Sequence, residues 1–191
     1  MRELRLHGRG GQGAVVASKI LAVAFYREGR EVQSFPAFGV ERRGAPVTAF
    51  LRISDWPIRL RCEVTEPDDL IVLDPTLVEA VDITGGLKPG GSILINSPRP
   101  AEGYGDLARR FRVTTVDGSA IALRHDLGSK TQPIVSTAIL GAFAAVSGLV
   151  RLESVCAAIR EEMPLRAAEN VAAARDAAEA VRATLAEPSH A

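Results

Sequence analysis

The chain has 191 residues, 47% of them hydrophobic and 24% charged, which suits one soluble domain long enough to bury a single core. Its 23 basic and 23 acidic side chains cancel, so bulk charge gives no case for nucleic acid or an anionic membrane, although a local basic site for a small polyanion stays open. The two cysteines, Cys62 and Cys156, form no C-x-x-C, which excludes a ferredoxin-type cluster run and argues against a self-contained cysteine zinc site.

The opening MRELRLHG lacks the apolar segment of a signal peptide and the Arg/Ser-rich character of a transit peptide, so the chain is expected in the cytoplasm. ELRLHG, residues 3–8, predicts a strand entering a glycine loop, and residues 12–28 predict a helix closed by Gly29. EVQSF is a second strand ending at Pro36, and PVTAFLRIS (46–54), with alternating β-branched and aromatic residues, is a third. DLIVLD (69–74) and GSILINS (91–97) are short and apolar on both faces, as central strands covered by helices are. Between them PTLVEAVDITGGLKPGG predicts a helix ending in a Gly/Pro turn; YGDLARRF and RVTTVDG form a further helix–strand pair.

Beyond Gly128 no more strands are expected, and helical stretches follow near 134–148, 151–163 and 166–186. Leu152, Val155, Ile159 and Met163 share one face of the middle one. TQPIVSTAILGAFAAVSGLV, residues 131–150, carries no charge and approaches a membrane span in length. Its Gln, Pro, Ser and Thr residues and its many alanines favour a packed helix at the centre of an assembly instead. Together the elements predict an α/β fold: a three-layer α/β/α sandwich on a largely parallel or mixed sheet with a helical C-terminal third. One domain is expected over residues 1–187, with 188–191 as a frayed tail.

Two loops carry the chemistry. Gly8, Gly10 and Gly13 satisfy G-x-G-x-x-G between a strand and a helix, a setting for a sharp turn whose amides face a phosphate. Arg9, Gly11 and Gln12 complete GRGGQG. A dinucleotide site also wants an acid at the end of the second strand, and Gln33-Ser34-Phe35-Pro36 supplies none. In the second loop, SFPAFGVERRGAP, Arg42 and Arg43 stand between Gly39 and Gly44; they suit bidentate phosphate contacts or, equally, a solvated pair with Glu41. There is no G-D-G…N thiamine diphosphate pattern and no Ser/His/Asp arrangement. His7 ends a strand beside the loop, where a structural role is the commoner one. The chain has the look of a phosphate binder without a catalytic group.

GRGGQG followed by AVVASKILAVAFYREGREVQSFPAFGVERRGAPVTAFLRIS resembles the gamma subunit or domain of the 2-oxoacid:ferredoxin/acceptor oxidoreductases, of which pyruvate synthase is typical. The likeness continues through DDLIVLD, SILINS, TQPIVSTAILGAFA and AENVAAA. It implies a complex that oxidatively decarboxylates a 2-oxoacid to its acyl-CoA. Thiamine diphosphate, magnesium and iron–sulfur clusters would lie in alpha, beta and ferredoxin-like delta partners, with none bound by this chain alone. The resemblance implicates the gamma part in holding the co-substrate coenzyme A, through Gly8, Arg9, Gly10, Gly11, Gln12, Gly13, Gly39, Arg42, Arg43 and Gly44. The C-terminal helices and the Phe-containing loop would dock on the partners. A purely structural assembly subunit and a free-standing nucleotide-binding enzyme are the rival readings.

Overall fold

The computed structural model describes residues 1–37 and 44–186. In chain order the elements are β1 (Arg2–Arg9), α1 (Ala14–Arg27), β2 (Glu31–Pro36), β3 (Pro46–Ser54), β4 (Asp69–Val72), α2 (Leu77–Ala80), β5 (Ser92–Asn96), a 3-10 turn (Ala101–Tyr104), α3 (Asp106–Arg110), β6 (Arg112–Val116), α4 (Gly118–Arg124), β7 (Gly128–Ser129), β8 (Gln132–Pro133), α5 (Ser136–Ser147), α6 (Leu152–Glu162) and α7 (Ala167–Ala186). The main sheet runs β2-β3-β1-β4-β5-β6; β1, β4, β5 and β6 are parallel, and β3 is antiparallel to both β1 and β2.

Strand alternation sorts the side chains into two layers. Leu4 and Leu6 share a face with Ala49, Leu51, Ile53 and Ile71, under α1, α5, α6 and α7. On the other face Leu70, Val72, Ile93 and Ile95 are covered by the short α2 and α3 and by Ile83 and Leu87 from the connecting segment. The expected three-layer sandwich with a mixed sheet is therefore present, with one thick helical layer and one thin one. Next to that thin layer lies Arg52, 1% exposed, whose guanidinium bonds Glu3 Oε1 at 2.7 Å, Gln33 Oε1 at 2.9 Å and the Glu63 carbonyl at 3.2 Å. It stitches β3 to both its neighbours.

Several expectations need correction. The helix expected after Pro75 shrinks to Leu77–Ala80, because Gly86 (φ +74) lies where a Cβ would come within 1.9 Å of the Thr65 carbonyl, and Arg5 Nη2 bonds the Ile83 and Gly85 carbonyls at 2.8 Å. Strands do not stop at Gly128: β7 and β8 form a small hairpin. The seven-residue α4 was not anticipated; Asp117 caps it by accepting the Ala120 N–H at 2.9 Å. From Val135 to Ala144 the charge-free stretch is buried within its own chain, where α5 packs on α7. At Gly141 an added Cβ would stand 1.8 Å from the Ala174 carbonyl, so the two backbones nearly touch. Thr137 Oγ1 donates to Asn170 Oδ1 at 2.9 Å across the same seam. Among the described residues no helix is long and apolar enough to cross a membrane. The tail 188–191 lies outside the described residues.

Candidate functional site

The register of β1 brings the two loops together. Gly8 and Arg9 stand opposite Val47 and Pro46 at the start of β3, so the end of the arginine-bearing loop arrives beside the glycine loop. The Gly10 N–H donates to the Ala45 carbonyl at 2.9 Å, and the Gly44 N–H returns to the Gly10 carbonyl at 3.1 Å. The loops meet because antiparallel β3 occupies the place beside β1 that a dinucleotide fold gives to β2.

The glycine loop folds tightly, with the Gln12 N–H bonded to the Arg9 carbonyl at 2.9 Å and left-handed backbone at Gly11 (φ +99) and Gly13 (φ +83). Gly13 also backs onto Ser136, whose Cβ would lie 3.1 Å from an added side chain, whereas Gly11 faces open space. The N–H groups of Gly11 and Gly13 have no partner among the described residues. Behind them α1 begins with no side-chain cap and no acid in its first turn, so its first N–H groups and the positive end of its dipole are available to an anion.

Arg9 and Gln12 turn their side chains inward. Arg9 Nη1 donates to the Gly44 carbonyl at 3.1 Å and Nη2 to Thr76 Oγ1 at 2.9 Å, while Nε lies 3.3 Å from Asp74 Oδ2. Gln12 Oε1 accepts the Arg9 N–H at 2.7 Å, and its Nε2 donates to Asp74 Oδ2 at 2.8 Å. Asp74 Oδ1 accepts from the Thr76 N–H at 3.0 Å and the Thr76 hydroxyl at 2.6 Å. Burial pushes the Asp74 carboxyl up, but the bonds from Thr76 and Gln12, with Arg9 nearby, outweigh it and hold it below the usual carboxylate range. Asp74 and Thr76 were not singled out from the sequence; the D-P-T run just after a strand is an Asx-turn signal that could have flagged them.

A cavity of about 210 Å³ lies over the loop, lined by Arg9, Gly10, Gly11, Gln12 and Gly44 and by Thr131, Gln132 and Pro133 of the β7–β8 hairpin. That volume takes a phosphate-sized group but not a whole nucleotide. Gly39, Arg42 and Arg43, the remaining candidates, lie outside the described residues. His7 faces away, on the side of the sheet that carries Arg5 and Phe50. Burial, assisted by Arg5, lowers its pKa to about 4, and its Nε2 has no hydrogen-bond partner among the described residues. Among those residues no three His, Cys, Asp or Glu side chains converge as a metal site would need. The site can hold an anion on backbone amides.

The family model for pyruvate ferredoxin/flavodoxin oxidoreductase matches residues 3–180. The chain belongs to that family. Within the pyruvate ferredoxin/flavodoxin oxidoreductases it is similar to the pyruvate/ketoisovalerate oxidoreductases common subunit gamma of Thermococcus kodakarensis, 53% identical over 163 residues covering 84% of this chain and 86% of the relative. Its fold superposes on the crystal structure of pyruvate oxidoreductase subunit PORC from Thermotoga maritima with a TM-score of 0.76 and 34% identity, covering 93% and 95% of the two chains. The same fold recurs, at 20% identity and a TM-score of 0.75, in the 2-oxoglutarate:ferredoxin oxidoreductase of Magnetococcus marinus bound to 2-oxoglutarate, coenzyme A and succinyl-CoA. The match there takes in 98% of this chain but 32% of that one, so in that protein the fold is one part of a longer polypeptide. The chain thus corresponds to the gamma subunit of pyruvate/2-oxoacid oxidoreductases.

Proposed function

We propose that this chain serves a thiamine-dependent complex that oxidises a 2-oxoacid to its acyl-CoA, and that its two loops hold the phosphates of coenzyme A. The observation that carries the proposal is the pair of N–H groups at Gly11 and Gly13 that have no partner among the described residues, set at an acid-free helix N-terminus and beside Gly44, which follows Arg42 and Arg43 in the chain. The choice of coenzyme A among anions is supported by the Magnetococcus relative, which carries that ligand. The 210 Å³ cavity is too small for the whole molecule, so the rest of it would lie against partner chains. Thiamine diphosphate, magnesium and iron–sulfur clusters would reside on alpha, beta and delta-type partners, and the decarboxylation with them; this chain alone would carry no turnover.

A second reading, a structural assembly subunit, has one observation in its favour. Arg9 and Gln12 spend their side chains on internal bonds, as a loop built to grip a neighbouring chain also would. Affinity purification of this chain from its native host tests the shared part of both readings. Partner chains carrying thiamine diphosphate and clusters, with coenzyme A-dependent 2-oxoacid oxidation, are expected. Recovery of the chain alone, with nucleotide-dependent activity of its own, would revive the free-standing enzyme.

A further inference from the structure

The carboxylate of Asp74 is the point on which the glycine loop hangs. It sits just past β4, the parallel neighbour of β1, so the ends of two adjacent strands present Asp74 and the GRGGQG loop side by side. Oδ2 receives Gln12 Nε2 at 2.8 Å and has Arg9 Nε at 3.3 Å; Oδ1 is held by Thr76. Gln12 passes the constraint to the backbone by accepting the Arg9 N–H, and Arg9 passes it to the second loop by donating to the Gly44 carbonyl. Remove the carboxylate and Gln12 loses the acceptor that fixes its amide, while a half-buried Arg9 loses its counter-charge.

We infer that Asp74 is a positioning residue that locks the glycine loop and, through the Arg9 bond to the Gly44 carbonyl, anchors Gly44 beside it, so that the GRGGQG amides stand as one anion-binding unit. The inference rests on the proposed coenzyme A reading. Asp74 touches no ligand itself. Its effect should therefore appear in the binding of coenzyme A and not in the handling of the 2-oxoacid.

Steady-state kinetics of the assembled complex with coenzyme A and pyruvate test it. Asp74→Ala is expected to raise KM for coenzyme A about tenfold, the effect of losing hydrogen bonds to a charged group, with kcat and the pyruvate KM near wild type. Asp74→Asn, which keeps an acceptor for Thr76 but loses the charge facing Arg9, should fall between. Combining Asp74→Ala with Arg9→Ala should cost no more than the worse single change, because both break one network. Asp82→Ala is the control: Asp82 makes the same turn with Thr84 and, among the described residues, no hydrogen bond to either loop, so the coenzyme A constant should not move.

A wild-type coenzyme A constant in Asp74→Ala, while a bulky residue at Gly11 raises it, overturns the role of Asp74 and leaves the coenzyme A reading standing. If neither substitution moves it, the reading itself fails. Equal rises in both Michaelis constants would also overturn the inference, as general damage. Should the alanine variant not assemble, Asp74→Asn decides by the same criterion.

Discussion

Replacing Gly141 by alanine should destabilise the protein, although helix propensity predicts the reverse. Gly141 lies inside α5, where alanine is intrinsically better by about 1 kcal/mol. The new Cβ would stand 1.8 Å from the Ala174 carbonyl and 2.5 Å from its carbon, and no rotamer relieves a clash between a Cβ and a backbone. Restoring ordinary contact near 3.4 Å moves α5 and α7 apart by roughly 1.6 Å along that line, which loosens the packing of the two buried helices on each other. The buried bond from Thr137 to Asn170 would stretch with it. Overpacking costs about 1–3 kcal/mol and a strained buried hydrogen bond about 1 more, so a net loss of about 1–3 kcal/mol survives the gain in propensity of about 1 kcal/mol. For a domain of this size that lowers Tm by roughly 2–12 °C, readable by circular dichroism. A variant that melts at or above the wild-type temperature would refute the account of the α5–α7 contact.

Two further perturbations follow from buried charge. His7 has a folded pKa of about 4 against an ordinary 6.5, so the unfolded chain binds the extra proton between those values and stability must fall as pH drops through that window. The His7 contribution amounts to roughly 3 kcal/mol at most; thermal melts from pH 7 to pH 4.5 should show a decline that His7→Gln flattens, and parallel profiles would count against it. Arg52→Ala removes a buried guanidinium from part-buried Glu3 and Gln33 and should cost about 2–3 kcal/mol in urea unfolding, while a loss below about 1 kcal/mol would show that water replaces the guanidinium.

The sheet was legible where side chains alternate, as in LRL and AFLRI, or run apolar on both faces, as in SILIN, because burial of one or both faces dictates those patterns. The β1–α1 unit announced itself by its glycines. What could not be read was which strand lies beside which: nothing local to PVTAFLRIS says that β3 pairs with β1 as well as with β2. Short elements fixed by tertiary contact were missed for the same reason. The residues between Ala80 and the Gly/Pro turn look like a continuation of the helix until the Arg5 bonds and the close approach of Gly86 to Thr65 are known. At the site the sequence named the loop residues but not their division of labour. Backbone N–H groups at Gly11 and Gly13 find no partner among the described residues, while Arg9 and Gln12 turn in toward an aspartate more than sixty positions away. A motif lists residue types; it does not say which side chains are consumed in holding the loop.

The central claim is that the paired loops bind coenzyme A while the oxidative chemistry proceeds on partner chains. The most direct measurement is the Michaelis constant for coenzyme A, alongside that for pyruvate, in the assembled complex carrying Arg42→Ala and Arg43→Ala. Each lost charge-assisted contact should weaken coenzyme A binding by about ten- to a hundredfold. The account predicts a coenzyme A constant raised by at least that factor and a pyruvate constant nearly unchanged. An unaltered coenzyme A constant in a fully assembled complex would contradict it.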